Sequence, residues 1–342
     1  MSLASAAIAA FERAPLPDLA SRTAIGALVS RTRRKLHRAP PDATARFAAG
    51  MDSFPIALHT DLANRQHYEL PPAFFQKMLG PQLKYSCCYY DQAGSSLAEA
   101  EEAALRRTAA NAGLADGQDV LELGCGWGSL SLWMARSFPA SRIVSVSNSA
   151  PQRLHIEAEA ARRGLSNLTV ITADMNDFTI ERTFDRIVSV EMFEHMANWR
   201  PLLTKARSWL RPDGRLFLHV FTHRSAPYRF DPTDRTDWIA QHFFTGGIMP
   251  SHALIREFGD LFTLEQDWFW NGSHYARTAR DWLALLDADP AGTDAILRPV
   301  YGRETGLWLR RWRLFLLATE GLFGHAGGEV WGVSHYRLSP AG

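Results

Sequence analysis

The sequence predicts an α/β fold built on a doubly wound parallel sheet. Three observations carry this. From about residue 115, short apolar runs alternate with stretches of helical period. The loops between them are short, as expected for strands joined by crossover helices. The first apolar run ends in a cluster of glycines, and such sheets bind ligands beyond the carboxyl ends of their strands.

In chain order, residues 1–50 read as weakly amphipathic helix and linker, broken at Pro15, Pro17, Pro40 and Pro41. The basic run RTRRKLHR (31–38) suits an anionic membrane surface or, more simply, a solvated helix face. DVLELG (119–124) is a short apolar run ending in glycine, hence a buried strand. SLSLWMARSF (129–138) has helical period. RIVSVS (142–147) is a second strand, and the helix over 150–164 is closed by Gly164. LTVITAD (168–174) and FDRIVSVEMF (184–193) are the third and fourth strands. WRPLLTKARSWLRPDG (199–214) is a helix stopped by Pro-Asp-Gly, and RLFLHVFT (215–222) is the fifth strand. LFTLEQDWFW (261–270) and EVWGVSHYRL (329–338) are two late strands. Residues 223–258 and 272–325 read as an aromatic, largely helical cap over the functional edge of the sheet.

A chain of 342 residues, 46% hydrophobic and 21% charged, is an ordinary globular composition with enough length for a full core. The net charge of +1 gives no field favouring nucleic acid. Cys87, Cys88 and Cys125 form neither a disulfide framework nor a zinc spacing, so no metal is expected and a reducing compartment is. The Ala-rich start lacks a basic leader, and no apolar run approaches the ~18 residues of a membrane span. The expected location is the cytoplasm, without stable membrane insertion. A homodimer is left open.

The sharpest local signal is Glu122-Leu-Gly124-Cys-Gly126-Trp-Gly128 at the end of the first strand. Glycines there let the backbone turn tightly and approach a ligand. The spacing is not the G-x-G-x-x-G of pyrophosphate binding, and no Lys-Ser/Thr follows as in a phosphate loop. Glu122 fits a cationic ligand of the methionine type, or is a structural carboxylate.

Four segments, QHYELPPAFF (66–75), LKYSCCYY (83–90), VLELGCGWGSL (120–130) and SVEMFEHM (189–196), resemble the cyclopropane-fatty-acid synthase superfamily of S-adenosylmethionine-dependent methyltransferases. HFFTGGIMPS (242–251), NGSHYARTARDW (271–282), WRLFLLATEGLFG (312–324) and EVWGVSHY (329–336) bring it closest to the coclaurine N-methyltransferase branch. The resemblance spans roughly 60–342 and implies a Rossmann-like class I methyltransferase sheet. The implied division is an N-terminal helical extension (1–60), a helical entry segment over the cofactor (61–115), a cofactor-binding core (116–222), and a substrate cap with the last two strands (223–342). S-Adenosylmethionine is the implied cofactor. Its cradle would be Tyr85, Ser86, Gly124, Gly126, Ser147, Asn148, Gln152, Asp174, Met175 and the backbone of Val190. Ser147-Asn148-Ser149 stands where many methyltransferases place an acidic ribose ligand, as is usual in this superfamily.

Methyl transfer is an in-line displacement, and a protonated nucleophile must first lose its proton. Glu191, Glu194 and His195 follow the fourth strand at the sheet's carboxyl edge. Such neighbours push one another's ionisation apart, which suits acid–base work, although an acidic cluster at a helix start would look the same. By the resemblance, Glu194 and His195 are the general base. The cyclopropane synthases use bicarbonate as base, and their ligand set maps onto Cys87, Glu194, His219 and Tyr275. Cys87 is otherwise a buried apolar thiol and His219 a core histidine. Tyr275 and Tyr68 are candidate pocket walls or hydrogen-bond donors.

Cyclopropane synthases carry a small residue where Glu191 stands, and a Cys where Thr319 stands. Both departures favour an amine acceptor. Asp231, Asp234 and Asp237 add negative charge to the cap, or form a solvated loop. Three functions follow: N-methylation of a small aromatic or alkaloid-like amine, methylation or cyclopropanation of an acyl lipid, and cofactor binding without catalysis.

Overall fold

The computed structural model describes residues 12, 14, 16–58, 70–234 and 236–342. Tyr68 therefore lies outside the described residues. Two helices, α1 (Asp18–Leu36) and α2 (Ala43–Met51), precede the entry helices α3 (Pro72–Met78) and α4 (Leu97–Ala112). Ser96 and Glu99 cap α4 reciprocally and Gly113 ends it in the left-handed conformation, so its length is written into the sequence.

The alternating core then runs β1 (Asp119–Leu123), α5 (Ser129–Ser137), β2 (Arg142–Ser147), α6 (Ala150–Arg162), β3 (Leu168–Thr172), β4 (Phe184–Val190), α7 (Trp199–Ser208) and β5 (Leu210–His223). After β6 (Tyr228–Arg229), α8 (Trp238–His242) and β7 (Ile248–Met249) come β8 (Phe262–Asn271), α9 (Ser273–Ala288), α10 (Pro290–Tyr301), α11 (Thr305–Phe323) and β9 (Trp331–Pro340). Seven strands form one sheet in the order β3-β2-β1-β4-β5-β9-β8. The first five are parallel, and β9 runs antiparallel between β5 and β8. The order reverses beside β1, the switch point at which α/β sheets open a ligand crevice.

Two expectations need correction. The helix expected over 199–214 ends at Ser208, because Trp209 and Leu210 turn inward and Leu210 pairs with Phe184. Pro-Asp-Gly is instead an irregularity within β5, where the register slips between the Phe184 and Arg186 pairings. The second late strand begins two residues later than expected, at Trp331.

One apolar cluster fills the sheet face covered by α7, with Leu121, Ile187 and Leu218 at its centre. The opposite face carries α4 and α5 through Leu105, Ala109, Val120 and Phe217. The cap helices pack a third cluster around Trp282, Trp312 and Trp331. The basic run 31–38 closes α1, with Arg31, Arg33, Arg34 and Lys35 exposed. Their charge also complements the helix C-terminus. No helix among the described residues is long and apolar enough to cross a membrane.

Candidate active site

A cavity enclosing about 1220 Å³ of empty space, open solvent included, lies at the carboxyl ends of β1, β2 and β4. Tyr85, Ser86, Glu122, Gly124, Gly126, Ser147, Asn148, Gln152, Asp174, Met175 and Val190 all line it. Gly124 sits at φ +79, and a Cβ there would lie 2.7 Å from Met192. Gly126, at φ +52, is also in the region that side chains avoid.

The cradle is pre-set by short polar links. Ser147 donates to Gln152 Oε1 at 2.7 Å, and Ser149 accepts from the Gln152 amide at the start of α6. With its oxygen taken, Gln152 leaves Nε2 without a partner among the described residues. Thr108 Oγ1, Trp127 Nε1 and Ser129 Oγ are likewise buried, unpartnered and on the cavity wall. Orphaned buried polar atoms call for a ligand, and four around one cavity fit a polar group such as the adenosyl and methionyl parts of S-adenosylmethionine. Thr108, Trp127, Ser129, Lys84, Met192 and Thr245 line the cavity without having been anticipated. Trp127 and Ser129 were findable from their place in the glycine loop. Thr108 and Thr245 carry no local sign.

Glu122 lines the cavity, but its carboxylate takes hydrogen bonds from Ser131 and Ser145, tying α5 and β2 to β1. Burial pushes it up to about 7. Asp174 accepts from the Asn176 amide beside the same cavity. Asn176 in turn exchanges hydrogen bonds with Ala57, so the segment before residue 59 is pinned to the rim.

The catalytic candidates fall into two rows. Glu191 and His195 line the cavity. Glu191 has φ +48, a left-handed conformation unusual for a residue with a side chain. Its Oε1 accepts from the Cys87 amide at 2.9 Å and meets His219 Nε2 at 3.1 Å, while Oε2 accepts from the Tyr275 hydroxyl at 2.6 Å. Cys87, His219 and Tyr275, three of the four expected bicarbonate ligands, therefore hold the protein's own carboxylate.

Cys87 serves through its backbone. Its thiol donates to Cys88 O, and burial, followed by the nearby Glu191 charge, pushes it well up from its usual value. Burial also raises Glu191, against which Lys84 and the donors from Cys87 and Tyr275 act. Lys84 is itself buried and donates to Cys87 O at 2.7 Å.

Glu194 is fully buried and absent from the cavity wall. Its Oε1 accepts from the Phe221 amide at 3.0 Å, and its Oε2 has no partner among the described residues. Burial, then repulsion from Glu191, raises it well above the usual carboxylate range. Glu191 has three hydrogen-bond partners and Glu194 one, so the surroundings favour the ionised form more at Glu191 than at Glu194.

Aromatic rings join the two ends of this site. Tyr275 stacks on Phe323 at 4.4 Å, Phe323 meets Phe221, Phe221 meets Phe244, and Phe244 lies 4.4 Å from His195. The cap acids are elsewhere engaged. Asp231 and Asp234 accept from Thr233 and Thr236, and half-buried Asp237 caps α8. Thr319 bonds back to Phe315 O within α11.

Residues 59–332 match the family described as mycolic acid cyclopropane synthetase. The chain is 37% identical over 289 residues to (S)-coclaurine N-methyltransferase of Thalictrum flavum subsp. glaucum, covering 82% of this chain and 79% of that one. It is 34% identical over 272 residues to (S)-coclaurine N-methyltransferase of Papaver somniferum, covering 78% of each. Among solved structures it is similar to a coclaurine N-methyltransferase bound to N-methylheliamine and S-adenosylhomocysteine, with a TM-score of 0.91, 32% identity and coverage of 95% and 96%.

Proposed function

This chain belongs to the mycolic acid cyclopropane synthetase family and is an S-adenosylmethionine-dependent methyltransferase, and on that premise we propose that it N-methylates a small aromatic, alkaloid-like amine. The observation that carries the acceptor is Glu191. A buried carboxylate hydrogen-bonded to Cys87, His219 and Tyr275 faces the cavity beside His195, and the rings of Tyr85 and Trp127 are on the same wall. Such a charge attracts an ammonium, and ring faces add to the attraction while matching an aromatic body. The relatives named for coclaurine support the same class.

The cofactor, when bound, supplies an electrophilic methyl group on a sulfonium. Tyr85, Ser86, Gln152 and the Gly124–Gly126 turn would hold it. The chain's own part is to orient the amine and take its proton. His195 and Glu191 are the members of the acid–base cluster that reach the cavity, and a neutral Glu194 behind them keeps the Glu191 charge from being doubled. The general base is thereby read as His195 with Glu191, rather than His195 with Glu194. An acyl-lipid reaction using bicarbonate would need the Cys87, His219 and Tyr275 donors that Glu191 occupies.

Transfer of labelled methyl groups across a panel of cyclic aromatic amines and unsaturated phospholipids tests this. Labelled N-methyl amine is the expected product. Acyl product with no amine product would overturn the reading.

A further inference from the structure

Behind Glu191 a chain of hydrogen bonds crosses the sheet on its α4 face. His219 Nε2 meets Glu191 Oε1, His219 Nδ1 meets His335 Nε2 at 2.9 Å, and His335 Nδ1 meets Asn111 Nδ2 at 2.9 Å. His219 on β5 and His335 on β9 are direct register partners, and Asn111 sits in the last turn of α4. Both imidazoles are essentially without solvent contact. The uncharged rings of Phe217 and Trp270 pack against them.

A neutral imidazole has one donor and one acceptor nitrogen. If Glu191 is the ionised acceptor, His219 must donate from Nε2 and accept at Nδ1. His335 must then donate from Nε2 and accept at Nδ1. Only a donor can satisfy that last nitrogen, and the Asn111 amide nitrogen is the atom in place. The polarity of the whole chain is thus set at one end by a carboxylate and at the other by an amide.

We propose that Asn111 and His335 are positioning residues that fix the tautomer of His219 and so keep Glu191 an acceptor carboxylate at the cavity. This rests on the reading of Glu191 given above. The other groups facing Glu191 are Lys84 from the entry segment, Cys87, Tyr275 from α9, and Glu194 and His195 from its own loop. Lys84 also acts on both imidazoles. Burial holds each of them well below the usual histidine range, so the chain carries no positive charge of its own.

Asn111→Asp reverses the chain. An aspartate can only accept, so His335 must donate from Nδ1, His219 must donate from Nδ1, and the bare His219 Nε2 then demands a protonated Glu191. The test is nitrogen NMR of histidine-labelled full-length enzyme, beside the pH profile of kcat/KM. In the wild type, His219 and His335 should both be neutral Nε2–H tautomers; Nδ1–H or imidazolium at either at neutral pH overturns the proposal without any variant. In Asn111→Asp, both should switch to Nδ1–H. The acid limb should move up by about one pH unit, tenfold in activity below it, with cofactor affinity unchanged. An unmoved limb in the folded variant overturns the proposal. Glu191→Gln separates the two layers. If it keeps the wild-type limb, the reading of Glu191 fails. If it loses the limb while Asn111→Asp keeps it, the relay alone fails.

Discussion

Tyr275 donates its hydroxyl to Glu191 Oε2 at 2.6 Å, joining the first turns of a cap helix to the loop after the fourth strand. That bond makes the cap part of the acid–base site as well as its cover. It also sets a direct expectation. A hydrogen bond to a charged group contributes about 1.5–3 kcal/mol. Tyr275→Phe removes it from the ionised form, so the Glu191 carboxyl moves further up. Activity should fall about tenfold or more at neutral pH and recover as pH rises. The pH profile of kcat checks this; a uniform loss at all pH values would mean that Tyr275 acts by shape alone.

Glu194 is expected to be needed as a hydrogen-bonding shape and not as a charge. Glu194→Gln keeps an oxygen for the Phe221 amide and replaces a hydroxyl with an amide. Its kcat should stay within about threefold of wild type, the scale of one neutral hydrogen bond. Glu194→Ala leaves a hole in a fully buried position and should cost far more. Equal damage from both would restore Glu194 as the base.

Far from the site, at the amino end of β1, Asp119 takes Arg142, Arg182 and Arg211 on one buried carboxylate. The hydrogen bond from Arg142, ahead of those from Arg211 and Arg182, holds it well below the usual carboxylate range. Its folded value is depressed, so its stabilisation is present above the unfolded value of about 3.9 and is lost as pH falls through the folded value. Each of the three arginine side chains is more than a third exposed, which discounts the loss on Asp119→Asn to about 2 kcal/mol. Thermal unfolding should show a gap between variant and wild type at pH 7 that closes on acidification; a gap independent of pH would point to packing instead.

Much of this was legible in the sequence. The alternation after residue 115 gives the sheet because a strand buried on both faces must be apolar along its whole length. Gly124 and Gly126 mark the cofactor turn because positive φ is closed to most other residues. The caps of α4 and α6 are local, since Ser96 and Ser149 act on amides three residues away.

What chain order does not carry is which groups meet across it. Cys87, Glu191, His219 and Tyr275 come from four separate elements, up to 188 residues apart by subtraction of 87 from 275. The resemblance grouped Cys87, Glu194, His219 and Tyr275 around an anion; only the fold shows that Cys87, His219 and Tyr275 all meet Glu191. Glu191 and Glu194 look equivalent in SVEMFEHM. Burial and donors separate them, one at the cavity and one behind it. Charge and proton are assigned by surroundings, and surroundings exist only after folding. The sequence by itself determined the sheet, the cofactor turn and the family; the tertiary structure decided which carboxylate lines the cavity and that His335 and Asn111 stand behind it.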